Sequence, residues 1–180
     1  DAVVSSADWY KTVFDYLDAK YVDEKILKLK DGKLLDVYYS VLLVTFGLKN
    51  TYKEYPHFFR FPIDEKLESP CGTSWERLEV HFYNYDKTLA PEGKTVMACS
   101  FYTTNGNYWI KLRKNERQKY RAEKTKFVES LVGLLEKKFP KIREDIEVTD
   151  FSTPATILRY TNSWQGSAQG WLPGKNILAT

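Results

Sequence analysis

The residue types that carry acid–base, metal and thiol chemistry are scarce and scattered in this chain. His57 and His81 are its two histidines, and neither has a second ligand at the two-residue or i+4 spacing that a zinc or iron site uses. Each reads as a half-exposed strand residue, and no metal is expected. Cys71 and Cys99 stand 28 positions apart without a Cys-x-x-Cys pair, so both read as buried thiols. The stretch Gly170-Trp-Leu-Pro-Gly174-Lys175-Asn176 has the outline of a phosphate loop but fails in its parts. Three residues separate the glycines where four are needed, Asn176 replaces Ser or Thr, and Pro173 removes a backbone N–H. There is no Gly-x-Gly-x-x-Gly turn to hold a dinucleotide's pyrophosphate. No catalytic residue follows from these patterns.

What remains is residues 152–171, where Arg159 and Tyr160 run as a strand into a loop with Gly166, Gly170, Trp164 and Trp171. Glycines there would let backbone approach a flat ligand, with Tyr160, Trp164 and Trp171 as its walls. The same residues also fit a glycine turn whose tryptophans pack on their own sheet. Arg159 is expected as an ion-pair partner within the domain.

These side chains need elements to hold them. The spacing predicts a first helix over residues 8–18, with Trp9, Val13, Phe14 and Leu17 on one face. A second helix is expected from the N-cap Asp23 to residue 30, stopped by Asp31-Gly32. Residues 37–48 are too apolar for simple alternation and read as a central strand covered on both faces, whereas residues 57–63 contain Pro62 and read as an edge. Residues 75–85 alternate, with Leu78, Val80 and Phe82 on the dry side. A turn at residues 90–94 leads to an antiparallel partner over 95–104, which Asn105-Gly106-Asn107 ends. A long helix over 115–139, closed by Pro140, and further strands over 146–151 and 155–161 complete the order. This sequence of elements implies an α+β fold: a mostly antiparallel or mixed β-sheet with helices packed on one face, in a single domain over residues 1–180.

Composition bounds the function. With 43% apolar and 28% charged residues over 180 positions, a disordered chain is excluded. Five Trp, thirteen Tyr and ten Phe require a large core or an apolar site to line. No run approaches the roughly 18–20 apolar residues that cross a bilayer. The cysteine count and the lack of an Asn-x-Ser/Thr site point to a reducing, cytoplasmic setting. From Lys111 to Arg143 there are twelve Lys and Arg against four Glu. Because Tyr120, Phe127, Val128, Leu131, Leu135 and Phe139 recur at helical spacing, that region reads as a helix with one solvated face. A peripheral membrane contact is the further expectation for it, and nucleic acid is not, since no nucleic-acid motif accompanies the charge. Both ends, residues 1–6 and 176–180, read as strands cut short, which suggests a domain inserted in a longer chain with its ends close together.

Thr153-Pro-Ala-Thr-Ile-Leu-Arg-Tyr-Thr followed by Gly166-Ser-Ala-Gln-Gly170-Trp171 resembles the carboxy-terminal signature of the phytoene dehydrogenase-like FAD oxidoreductases, which include carotenoid desaturases, carotenoid isomerases and retinol saturases. Other landmarks follow in the family's order. Val3-Val4-Ser5-Ser6-Ala7-Asp8 is similar to the strand leaving the FAD domain, and Leu89-Ala-Pro-Glu-Gly-Lys94 to the turn before the next sheet strand. Tyr108-Trp109 through Tyr120 and Lys124 is similar to the entry of the long helix, with Phe139-Pro140 and Ile146-Glu147 at its close.

The resemblance implies a substrate-binding domain whose FAD is held by missing segments of the same polypeptide, so that this piece alone binds none and is inactive. It implies an apolar polyene or isoprenoid substrate that is desaturated, saturated or isomerised at the flavin, with Tyr160, Trp164, Gly166, Gly170 and Trp171 lining the substrate or flavin-facing end. The alternative is a stand-alone binding module for an apolar or flat ligand without redox activity. An adaptor binding an acidic partner through the basic helix has only the charge count behind it.

Overall fold

In the computed structural model, which describes residues 2–30 and 36–172, the alternating segments become an antiparallel sheet. Its strands are β2 (Ser40–Leu48), β3 (Phe58–Glu68), β4 (Ser74–Phe82), β5 (Thr95–Thr103) and β6 (Ile146–Ser152), in the spatial order β3-β4-β5-β2-β6. A separate pair joins β1 (Asp36–Val37) to β7 (Trp171–Leu172), also antiparallel. Register places Val80 opposite Cys99 and Cys99 opposite Val44, so one row of small apolar side chains crosses three strands on the buried face. The sheet with its helices is an α+β fold, as the order of elements implies.

Helix α2 (Gly106–Asn115) and helix α3 (Arg117–Lys138) follow β5. Tyr120, Phe127, Leu131 and Leu135 of α3, with Phe139 just after it, are buried as their spacing predicts. They pack with Leu42, Val44, Phe46, Leu78, Val80 and Phe82 of the sheet, and each such apolar side chain contributes about 1.5–3 kcal/mol when fully buried. Pro140 ends the helical run, α4 (Ile142–Asp145) turns the chain, and β6 returns along β2. Among the described residues no helix is long and apolar enough to cross a membrane.

Several elements differ from the sequence expectation. Strand β2 is central by pairing, lying between β5 and β6, but only one face is covered: Val41, Leu43, Thr45 and Gly47 on the other are half-buried. Helix begins at Gly106, nine residues before the expected start at 115, and a break at Glu116 (φ −136°) separates α2 from α3. Residues 155–161, expected as a strand, form α5 (Pro154–Thr161). There the Thr153–Thr156 capping box and Pro154 in the first turn satisfy and pre-set the helix start, which overrides the β-branched run. The first helix begins at Trp9 but widens into a π-helix over Lys11–Tyr16. The second is α1 (Glu24–Lys30), with the Asp23 carboxylate accepting from the Ile26 N–H at 2.8 Å, as its N-cap role predicts. Residues 2–7 form no strand; Val3 and Val4 are 98% and 92% exposed, with no partner strand among the described residues. The helix stop at Asp31-Gly32, the Gly174-Lys175-Asn176 stretch and the closing strand at 176–180 lie outside the described residues.

Candidate functional site

Residues 153–171 are held against residues 37–40 by backbone bonds. Helix α5 ends at Asn162, whose φ of 57° turns the chain back, and a short 3-10 turn over Trp164–Gly166 follows. The Ser40 hydroxyl donates to the Gly166 carbonyl, the Ala168 N–H to Tyr39 O at 3.1 Å, and the Tyr38 N–H to Gly170 O at 2.9 Å. The Ser167 hydroxyl also donates to Gly170 O, at 2.7 Å. Trp171 is thereby placed opposite Val37 in the two-stranded pair.

The opening segment packs onto this frame. One Asp8 carboxylate oxygen accepts from the Lys11 N–H at 3.2 Å, capping the first helix, while the other accepts from the Trp164 N–H at 3.0 Å. The helix start then directs two rings at the far end of the sequence. Trp9 lies 5.0 Å from Trp171 between ring centroids, and Tyr10 stacks on Trp164 at 3.6 Å. Phe14 closes the cluster 4.7 Å from Tyr10. Beside it is a cleft of about 440 Å³, lined by residues 6–9 and by Ser163, Gln169, Gly170 and Trp171.

The wall of this cleft mixes two tryptophan rings with the polar side chains of Ser6, Asp8, Ser163 and Gln169. The indole N–H groups of Trp9 and Trp171 are both buried and lack a hydrogen-bond partner. Such a group costs about 1–3 kcal/mol. Trp109 is in the same state, but its ring is 0% exposed inside the core, whereas Trp9 and Trp171 border open space. Gly170 has φ +83° with nothing within 4 Å of the position a Cβ would take, so the backbone there is open to close approach.

Among the expected site residues, Trp164, Gly170 and Trp171 therefore converge, and two others stand apart. Tyr160 is 75% exposed on α5. Gly166 is buried with φ +66°, and a Cβ would meet Pro154 O at 2.4 Å, so glycine is required there for packing within the domain. Arg159 makes no ion pair among the described residues; its guanidinium lies 5.2 Å from the Tyr160 ring centroid at the exposed end of α5. Asp8, Trp9 and Tyr10 are the site residues that sequence reasoning missed. Helical spacing assigned Trp9 to a core-facing stripe, and nothing local to residues 8–10 signals a partner at 164–171.

The other chemistry-bearing side chains stay outside the cleft. His57 packs edge-on against Tyr85, and His81 lies between Phe58 and the Glu79 carboxylate, 3.4 Å from Nε2. Burial pushes the Cys99 thiol up to about 12. Cys71 is also buried, yet hydrogen bonds from Ser69, Thr73 and Thr103 outweigh that burial and hold its thiol below the ordinary value. Among the described residues no group of three or more His, Cys, Asp or Glu could hold a metal ion. No protein-family model matches the chain, and no curated protein is significantly similar to it.

Proposed function

We propose that the chain is the substrate-binding domain of a phytoene dehydrogenase-like FAD-dependent oxidoreductase acting on an apolar polyene or isoprenoid. The observation that carries this reading is the junction of Asp8 and Trp9 with Trp164 and Trp171. The two segments whose sequences resemble the family's exit from and return to the FAD domain lie side by side, as the entry and exit of an inserted domain must. The exposed Val3-Val4 pair fits a strand that takes its partner from the flanking polypeptide.

The cleft also suits the ligand. The Trp9 and Trp171 rings, beside the open Gly170 backbone, offer flat surface to an apolar or planar group. In this reading FAD is bound by the flanking segments and supplies the hydride or electron transfer. The residues of this chain orient an apolar substrate and exclude water. Desaturation, saturation and isomerisation all demand this, and none needs a carboxylate dyad. The basic region from Lys111 to Arg143 rests against an anionic membrane surface from which such a substrate is drawn.

The test is the extended protein, with the polypeptide flanking both ends of this segment. It purifies yellow with bound FAD, while residues 1–180 alone purify colourless, and Trp171→Ala in the extended protein lowers turnover more than thermal stability. A flavin held tightly by residues 1–180 alone, or full turnover in a destabilised Trp171→Ala protein, overturns the reading. The tight stacking of Tyr10 on Trp164 favours the second reading, a stand-alone module whose aromatics chiefly hold its own ends together. Natural start and stop codons at the ends of the segment support that module.

A further inference from the structure

We propose that Arg113, Arg117, Arg121 and Lys124 form a binding site for a phosphate group. Arg117, Arg121 and Lys124 fall at i, i+4 and i+7 on one face of α3, and Arg113 joins them from the last turn of α2. With Tyr120 and Thr125 they line a cleft of about 340 Å³ that contains no carboxylate.

Three other cations of the basic region are matched with acids. Lys119 lies 3.6 Å from Glu116, Lys137 lies 3.3 Å from Glu65, and Arg143 bonds both Glu129 and Glu136. Among the described residues none of the four cleft cations makes an ion pair. Like charges one helical turn apart repel, so the cluster costs stability unless an anion sits among them. Two features keep the cleft free of competing protein anions. The Lys124 ammonium is held over the rings of Tyr120 and Phe151, 5.6 and 5.4 Å from their centroids. The Glu116 side chain makes no capping bond to α3 and reaches Lys119 instead, which leaves the positive end of that helix open beside Arg117.

The chemistry selects phosphate. Three guanidinium forks offer paired N–H donors that match tetrahedral oxygens, and a doubly charged group gains most from four cations in one concavity. Tyr120 is buried and its hydroxyl is engaged by Thr153 at 2.9 Å, so the site offers no stacking platform for a nucleobase. A phosphate monoester, a diphosphate and a phospholipid headgroup share the recognised group. The site stands on these four residues whether or not the oxidoreductase reading holds.

The experiment titrates the 180-residue chain with inorganic pyrophosphate by calorimetry at constant ionic strength, and in parallel sediments it with phosphatidylcholine vesicles doped with phosphatidic acid. Arg117→Gln/Arg121→Gln weakens pyrophosphate binding about tenfold or more, which is 1.4 kcal/mol per decade. Lys126→Gln/Lys141→Gln, which removes the same charge elsewhere, leaves it unchanged. Both substituted pairs are exposed, and circular dichroism verifies their fold. Equal weakening by the two double variants, or no pyrophosphate binding by the wild type, overturns the proposal. Vesicle binding that pyrophosphate displaces identifies a headgroup as the source; pyrophosphate binding without vesicle binding identifies a soluble phosphate and removes the membrane contact while leaving the site intact.

Discussion

The backbone N–H of Trp164 donates to the carboxylate of Asp8, joining residues 156 positions apart at 3.0 Å. The same carboxylate caps the helix that carries Trp9 and Tyr10. Asp8→Ala removes both bonds, each to the charged carboxylate, and lowers stability by about 1.5–3 kcal/mol. Limited proteolysis then cuts the opening segment first while the sheet persists; an unchanged digestion pattern contradicts this role.

Gly166→Ala is expected to be among the most damaging small substitutions. The added Cβ meets backbone, Pro154 O at 2.4 Å, and the φ of +66° is strained for alanine. The two effects together cost about 2–4 kcal/mol in urea denaturation. Gly170→Ala shares the strained φ but meets no atom, and costs about 1 kcal/mol.

Stability at acid pH depends on Asp145, which is 4% exposed. Burial alone would raise its pKa, but hydrogen bonds from Asn50 and Tyr52 and the Lys49 ammonium hold it below the ordinary 3.8. A depressed carboxylate stabilises the fold above its unfolded pKa and loses that contribution as pH falls below 3.8 towards the folded value. Tyr52→Phe deletes the 2.8 Å bond to Asp145, costs about 1–3 kcal/mol near neutrality, and flattens the acid loss. Urea midpoints measured across pH for both proteins provide the check.

Thiol reactivity separates the two cysteines. Iodoacetamide at mildly alkaline pH modifies Cys71, whose thiolate is favoured by the hydroxyls of Ser69, Thr73 and Thr103, through local opening of its loop. Cys99, buried in the centre of the sheet with its pKa pushed up to about 12, reacts only after denaturation. Peptide mass spectrometry over time reads both rates, and equal rates would contradict the assignment.

Much of this architecture was legible from local pattern. Alternation in β4 marked Leu78, Val80 and Phe82 as core, and helical spacing in α3 marked Phe127, Leu131 and Leu135, because one-sided burial imposes a period that survives in the residue order. The pattern failed where a few atoms outweigh a propensity. Helix α5 was hidden by Thr156, Ile157 and Thr161, and the deciding signal was the capping box at its start. Helix α2 was hidden by Asn105-Gly106-Asn107, which reads as a turn while serving as a helix entry.

Residue order alone carried the α+β class, the composition of the core, the scarcity of acid–base and metal chemistry, and the expectation of a site over residues 152–171. It also located the excess of positive charge. Folding added that Trp164 and Trp171 meet Tyr10 and Trp9, that Gly166 serves packing while Gly170 is open, and that four cations share one cleft lined by no carboxylate. The physical reason is range. Periodicity and capping are written into neighbours a few residues apart, whereas a ring pair, a backbone clash or a charge cluster depends on distances between segments that only the folded chain brings together.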